Sequence, residues 1–292
     1  MSLWLHLRAI AFGIWVQLQQ IGGYWALGLV VGSLINVYLS DKLVQRVAVF
    51  SKPRFSLLSA CIASALGIAS PLCMYGTVPL IASLGRKKVP DYLLVSLMVS
   101  SILLNPNLLI MSFALGAPVA LLRLGTCFIS GILAGALAYA FLRKKAIFQL
   151  AQFMPREKRK RSFMADLLRA VQVTLPYFAA GLLLTALYDL YFPRHWMDCV
   201  FGGNQAMSTL FAMSMSIPLY ACGGGSIPLL MAWMREGMSA GSAVTFMIAG
   251  SATKLTNLGA VKSILGLRNF LLYLGFCLGY AWAVGMLVDV VF

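Results

Sequence analysis

The sequence predicts an all-α integral membrane protein made of two inverted repeats, each with three transmembrane helices and one Pro/Gly-broken hairpin, re-entrant or discontinuous. Three observations carry that expectation. Hydrophobic residues make up 61% of the 292 positions and charged ones only 11%, which leaves too little polar surface to cover a water-soluble globule. Apolar runs long enough to cross a bilayer follow one another along the chain. Two similar motifs, each interrupted by proline and glycine, lie on either side of a basic central segment.

The apolar runs fall at 21–39, 56–71, 77–84, 92–115, 117–142, 167–190, 205–219, 226–234, 241–260 and 268–291. They read as six full spans and two broken ones. Met1 to Gln20 has an early Arg8 and no small-residue cleavage site before Gln17, Gln19 and Gln20, so it reads as retained. The hydrophilic segment Arg143 to Asp166, with Lys144, Lys145 and the run Arg156 to Arg161, reads as a cytoplasmic linker with an interfacial helix. It divides the chain into a first membrane repeat, 1–142, a linker, 143–166, and a second membrane repeat, 167–292.

The formal charge of +15 is distributed as Lys and Arg between apolar runs, where they orient spans, so it points to membrane lipids and not to nucleic acid. Six scattered cysteines, most of them inside apolar runs, form neither a disulfide framework nor a zinc-type spacing.

The two sides of the linker repeat weakly at a constant offset. Residues 71–80 read PLCMYGTVPL and residues 218–229 read PLYACGGGSIPL. Setting Pro79 against Pro228, 149 residues apart, places Ser101-Ile102 on Gly250-Ser251 and Asn105 on Lys254. Proline removes a backbone donor and glycine favours non-helical dihedrals. The chain is therefore expected to unwind between Pro71 and Pro79 and between Pro218 and Pro228. Unwound backbone at membrane depth is tolerated only when buried in protein or lining a wet cavity. Pro71, Gly76, Pro79, Pro218, Gly223, Gly224, Gly225 and Pro228 are the residues expected to shape the two tips.

Each tip is the turn of a re-entrant hairpin or the kink of a broken span. The positive residues favour the hairpin. It puts Lys42, Arg46, Lys52, Arg54, Arg86, Lys87, Lys88, the linker, Lys262 and Arg268 in the cytoplasm, and leaves only Arg8, Arg123, Arg194 and Arg235 outside. Three spans plus a hairpin per half then turn the second half upside down, the architecture by which many secondary transporters alternate access.

At these motifs the sequence resembles the permease family that includes the organoarsenical efflux permease ArsP and related proposed copper/zinc exporters. PLCMYG (Pro71 to Gly76), Pro79 and SSILLNP (Ser100 to Pro106) look like the family's first-half signature, and PLYAC (Pro218 to Cys222), Pro228 and GSATK (Gly250 to Lys254) like its second. Tyr75 stands where the family often has a second cysteine, Ile102 and Ser251 where it has proline, and Lys254 where it has asparagine. The resemblance implies an efflux permease for a thiophilic metal ion or metalloid in the bacterial inner membrane, with Cys73 and Cys222 as ligands. Two soft sulfurs converging from equivalent tips suit such cargo. Cys61, Cys127 and Cys277 read as small apolar residues.

Lys254 lies well inside an apolar run, where a lysine costs about 2.5 to 3.5 kcal/mol on insertion scales, and so is a functional candidate. Its ammonium could stand in for a driving cation, attract an anionic solute, or bond unwound carbonyls. Thr253, Thr256 and Asn257 share a helical face, and Ser101, Asn105 and Asn107 make a similar polar patch in the first half. Tyr75 and Tyr220, beside the cysteines, complete the candidate substrate-binding set of Cys73, Cys222, Lys254, Asn105, Thr253 and Asn257. Met74, Met213, Met215, Met231 and Met234 surround the tips, where thioethers suit Cu(I) or serve as adaptable packing.

No Walker A loop, HExxH, GxSxG or intramembrane carboxylate dyad is present in the sequence, so a membrane permease without a cofactor is expected, not an enzyme. A second class stays open: a membrane subunit of a larger complex, its basic run Arg156 to Arg161 docking a partner or anionic lipid. A homo-oligomer also stays open.

Overall fold

The computed structural model describes residues 56–70, 89–142, 147–148, 205–220 and 226–291, with scattered helical positions between 8 and 30, 77 and 85, and 163 and 186. Among the described residues, all regular structure is helical. In chain order the helices are α1 (Leu57–Ala69), α2 (Asp91–Leu103), α3 (Pro106–Ser112), α4 (Ala117–Leu142), α5 (Gln205–Leu219), α6 (Ile227–Arg235), α7 (Ala240–Thr253) and α8 (Leu255–Val291). Two of their segments, Ala117–Phe141 and Ile264–Val291, are long and apolar enough to cross a membrane, and α2 with Pro106–Leu115 makes a third if that pair, bent by 40°, is one span. At about 1.5 Å per residue, 25 residues reach beyond the roughly 30 Å hydrocarbon core.

Local sequence explains where the helices stop. Before Pro71 the chain leaves the helical region at Ser70 (φ −73°, ψ 123°), as the residue before a proline favours. The apolar run 92–115 reads as one stretch in the sequence, yet it divides at Leu104 and Asn105. Asn105 precedes Pro106, is extended (φ −134°, ψ 167°), and accepts a hydrogen bond at Oδ1 from the Leu108 N–H, so it ends one helix and caps the next. In the second half, α7 ends at Lys254 (φ −51°, ψ 122°). Pro218 does not itself break its helix. It lies in the last turn of α5, which runs one residue further, and Pro228 lies in the first turn of α6, where a missing N–H costs nothing.

The element boundaries recur along the chain. Helix α2 begins at Asp91 and α7 at Ala240, 149 residues on. The interruption at Asn105 has its counterpart at Lys254, again 149 residues on. Ahead of the long helices stand Gly116 (φ 107°) and Gly266 (φ 70°), 150 residues apart, each in the positive-φ region that side chains disfavour. Gly266 divides α8 into a short first arm and a long second one.

Small residues let the helices touch. In the first half Gly67 backs onto Ser100, Gly131 onto Ser64 and Ser100, and Gly135 onto Tyr92 and Ser96, which seats α1, α2 and α4 against one another. Ser96 Oγ also donates to the Ala60 carbonyl at 3.2 Å. In the second half Gly241 and Gly285 pack together, while Thr245 Oγ1 reaches the Gly241 and Ala281 carbonyls at 2.9 and 3.1 Å. Close backbone approach with hydroxyl bonding is the means by which helices associate in lipid, where apolar burial gives little drive.

Polar clasps close the ends. Asp289, near the end of α8, accepts from Ser239 Oγ at 2.9 Å and from the Gly241 N–H at 2.8 Å, so its carboxylate sits at the start of α7, where a helix favours negative charge. Ile147, just beyond α4, donates its N–H to Asp91 and accepts from Asn269 Nδ2 at 2.9 Å, tying the edge of the basic segment to both halves.

Replacing Gly266 by alanine should lower the thermal unfolding midpoint of the detergent-purified protein, at a cost of about 1 kcal/mol or more. Gly275→Ala, at a helical position where an added Cβ meets nothing within 4 Å, should leave the midpoint unchanged or raise it.

Candidate functional site

Arg123 is the only charged residue of α4, and it is fully buried, with 0% exposure. The positive-φ turn at Gly116 folds the end of α3 back over the second turn of α4, bringing Ser112 to the guanidinium. Arg123 Nη1 donates to Ser112 Oγ at 2.7 Å, and Ser112 Oγ donates on to the Leu108 carbonyl at 2.6 Å. From the second half come two more hydroxyls. Nη2 donates to Tyr220 Oη at 3.2 Å and to Ser251 Oγ at 3.3 Å.

Tyr220 follows the last residue of α5, and its N–H still closes a turn with the Ser216 carbonyl. Its ring lies over Gly250, where any side chain would collide with it, and beside Phe246 at a centroid distance of 6.1 Å. Ser251 Oγ bonds both Tyr220 Oη at 2.9 Å and the Met247 carbonyl at 2.6 Å. The PLYAC and GSATK motifs are therefore joined directly, through Tyr220 and Ser251, and both are joined to α4 through Arg123. One turn along α4, Tyr280 Oη donates to the Thr126 carbonyl at 2.6 Å and holds α8 against the same helix.

Burying a guanidinium at membrane depth costs about 2.5 to 3.5 kcal/mol on insertion scales, which hydrogen bonds must offset. Here every partner is uncharged, and the Nε atom, although buried, has no hydrogen-bond partner. The Ser112 bond has the length of a charge-assisted contact. The two Nη2 bonds are longer than the 2.7–2.9 Å typical of that class.

Of the sequence candidates, Tyr220 lies in this cluster. Ser251, which stands where the resembled family has proline, is a hydrogen-bond hub within it. Arg123, which the hairpin topology leaves among the outside positive residues, is fully buried: a guanidinium seven residues into a long apolar helix is held by partners, not by water. The available signal was its isolation as the single charge in the 117–142 run.

Asn105 spends its Oδ1 on capping α3, and buried Thr253 donates to the Ala249 carbonyl at 2.7 Å, so both side chains serve their own helices. Lys254 is half-buried at the break between α7 and α8, and its carbonyl accepts from the Leu258 N–H. In the first half Thr77 and Ser101 share a hydrogen bond at 3.0 Å, which sets a residue of the first motif against α2. Ser101 and Ser251 are 150 residues apart.

Cys73, Cys222, Tyr75, Pro71, Gly76, Pro79, Gly223, Gly224 and Gly225 lie outside the described residues, as does the Asn257 side chain. Cys127 and Cys277 are free and fully buried, Cys61 is free and half-buried, and the first two are again 150 residues apart. Among the described residues, no three His, Cys, Asp or Glu side chains come together as a metal site. Met231 and Met234 line a cleft of about 220 Å³ with Ala114, Leu115 and Arg235, and an arginine at its edge is poorly suited to a soft cation.

Comparison with known proteins adds the following. A family model described as a predicted permease, of the ArsP type, matches residues 8–290. A UPF0718 protein of Methanocaldococcus jannaschii is 18% identical over 136 residues, which are 47% of this chain and 37% of that protein. The chain thus spans well under half the length of that relative. No solved structure matches.

The Tyr220–Ser251 pair should couple energetically. Tyr220→Phe and Ser251→Ala should each destabilise the protein by about 1 kcal/mol, and the double variant should cost less than the sum, because either change already breaks the shared bond. Thermal unfolding of the four proteins checks this. Strict additivity would mean that the two hydroxyls do not bond in the working protein.

Proposed function

The chain belongs to the predicted permease family whose model it matches almost throughout, and from that membership we propose an efflux permease for a thiophilic metal ion or an organoarsenical-type metalloid. It works in the bacterial inner membrane by alternating access between two inverted repeats, residues 1–142 and 167–292, joined by a cytoplasmic linker, 143–166. A membrane permease is what the family and the apolar helices support, with a small molecule or ion as its substrate.

The observation that carries the mechanism is the hydrogen-bond knot around Arg123. It joins a long helix of the first half to the residue two positions before Cys222 and to the helix of the GSATK motif. A rearrangement of the halves is thereby coupled to the second tip. Recurrence of helix starts, breaks and positive-φ glycines at offsets of 149 and 150 residues supports the repeat. In this reading Cys73 and Cys222 capture the cargo as soft ligands, Tyr75 and Tyr220 flank them, Lys254 sets the local charge, and Asn105, Thr253 and Asn257 line the route.

Expression in a sensitised bacterial host should raise resistance to trivalent organoarsenicals or to silver and copper salts, and inside-out vesicles should accumulate the same species. Cys222→Ser at matched expression should abolish both effects. Full resistance in that variant would eliminate the thiol route.

A further inference from the structure

None of the elements that build the Arg123 knot carries an acidic residue: α3, α4, α5 and α7 contain neither aspartate nor glutamate. The carboxylates of Asp91 and Asp289 are engaged elsewhere, Asp91 with Ile147 and Asp289 with Ser239 and Gly241. The guanidinium thus brings a cationic group into the interior, and its partners are neutral, the hydroxyls of Ser112, Tyr220 and Ser251 and the thiol of Cys127. Cys127 lies beside it, one helical turn on, as the nearest ionisable side chain of α4.

The pattern of bonds is directional. Nη1 makes the short bond to Ser112. Nε and Nη2 form the side of the guanidinium that offers two parallel N–H groups to a carboxylate. On that side Nε has no partner and Nη2 has only the two longer hydroxyl bonds. An oxyanion placed there would satisfy both donors and neutralise the buried charge, whereas Tyr220 and Ser251 hydroxyls do the first in part and the second not at all.

We propose that the Nε–Nη2 edge of Arg123 binds the carboxylate or other oxyanion group of the permease's cargo, which takes the place of the Tyr220 hydroxyl. The cargo is then an anion, or a thiophilic centre carried together with an anionic group. Displacing Tyr220 releases the contact between α4 and the end of α5, so binding and the rearrangement of the second tip become one event. The inference rests on the permease reading for the word cargo, but its test requires no transport.

The test is thermal unfolding of the detergent-purified full chain in sodium formate, acetate or phosphate, each against sodium chloride at equal ionic strength. A saturable rise in the unfolding midpoint is expected with at least one oxyanion. Arg123→Gln should abolish it, and Lys262→Gln, at an exposed position of α8, should leave it in place. Tyr220→Phe, which removes a competitor for Nη2, should lower the half-saturating concentration by about three- to tenfold. No saturable rise in the unmodified protein, an equal rise in Arg123→Gln, or weaker binding by Tyr220→Phe would overturn the inference. If Arg123→Gln does not accumulate, Arg123→Lys decides, since it keeps the charge without the fork: an unchanged half-saturating concentration counts against the proposal and a large increase supports it. Because the readout is binding, a failed resistance assay leaves this result standing, and the reverse holds equally.

Discussion

A guanidinium held inside an apolar helical protein constrains everything around it. Arg123 offers five N–H donors and no acceptor, so the surrounding chain must bring polar atoms to it or expose it. It does the former, with Ser112 from the turn before α4, Tyr220 from the end of α5 and Ser251 from α7. Several otherwise unrelated features follow from this need. The left-handed Gly116 lets Ser112 fold back, and the missing side chain at Gly250 makes room for the Tyr220 ring.

Elsewhere the polar groups secure helix ends and pairwise helix contacts. Asn105 caps a helix, Thr253 bonds a carbonyl of its own helix, Thr245 bonds carbonyls of both α7 and α8, and Asp289, on α8, holds the start of α7. In an environment without water each unsatisfied backbone group costs several kcal/mol, so helices that stop short need caps of this kind. Among the described residues, the Arg123 cluster alone uses side chains from both sides of the linker to satisfy one group, which is why it stands apart from the helix-packing hydroxyls.

Much of the helical layout was legible in the sequence because proline and glycine act locally. The end of α1 before Pro71, the placement of Pro228 and the long run 117–142 needed only neighbouring residues to be read. The split at Asn105 was less visible, since hydropathy continues through it and only the Asn-Pro pair marks it. Pro218 adds a refinement: a proline in the last turn loses one bond to the preceding turn, and the helix runs one residue past it before the interruption expected between Pro218 and Pro228. The site itself was half legible. Motif resemblance drew attention to Tyr220 and to the GSATK run. Arg123 was overlooked because its partners are 97 and 128 residues away, and no local rule distinguishes a buried arginine from one near a membrane surface.

The two helix breaks carry a further consequence. Asn105 and Lys254 occupy corresponding positions, one with a neutral amide and the other with an amine. A membrane potential does no work on a neutral amide, but it acts on a side chain that carries a unit charge with about 2.3 kcal/mol per 100 mV for a full crossing. Displacement of the second break along the membrane normal is therefore electrical work whenever its side chain is charged, and displacement of the first is not. Breaks set 149 residues apart in the chain thus answer differently to an electric field, the one at Asn105 not at all and the one at Lys254 through whatever charge its amine carries.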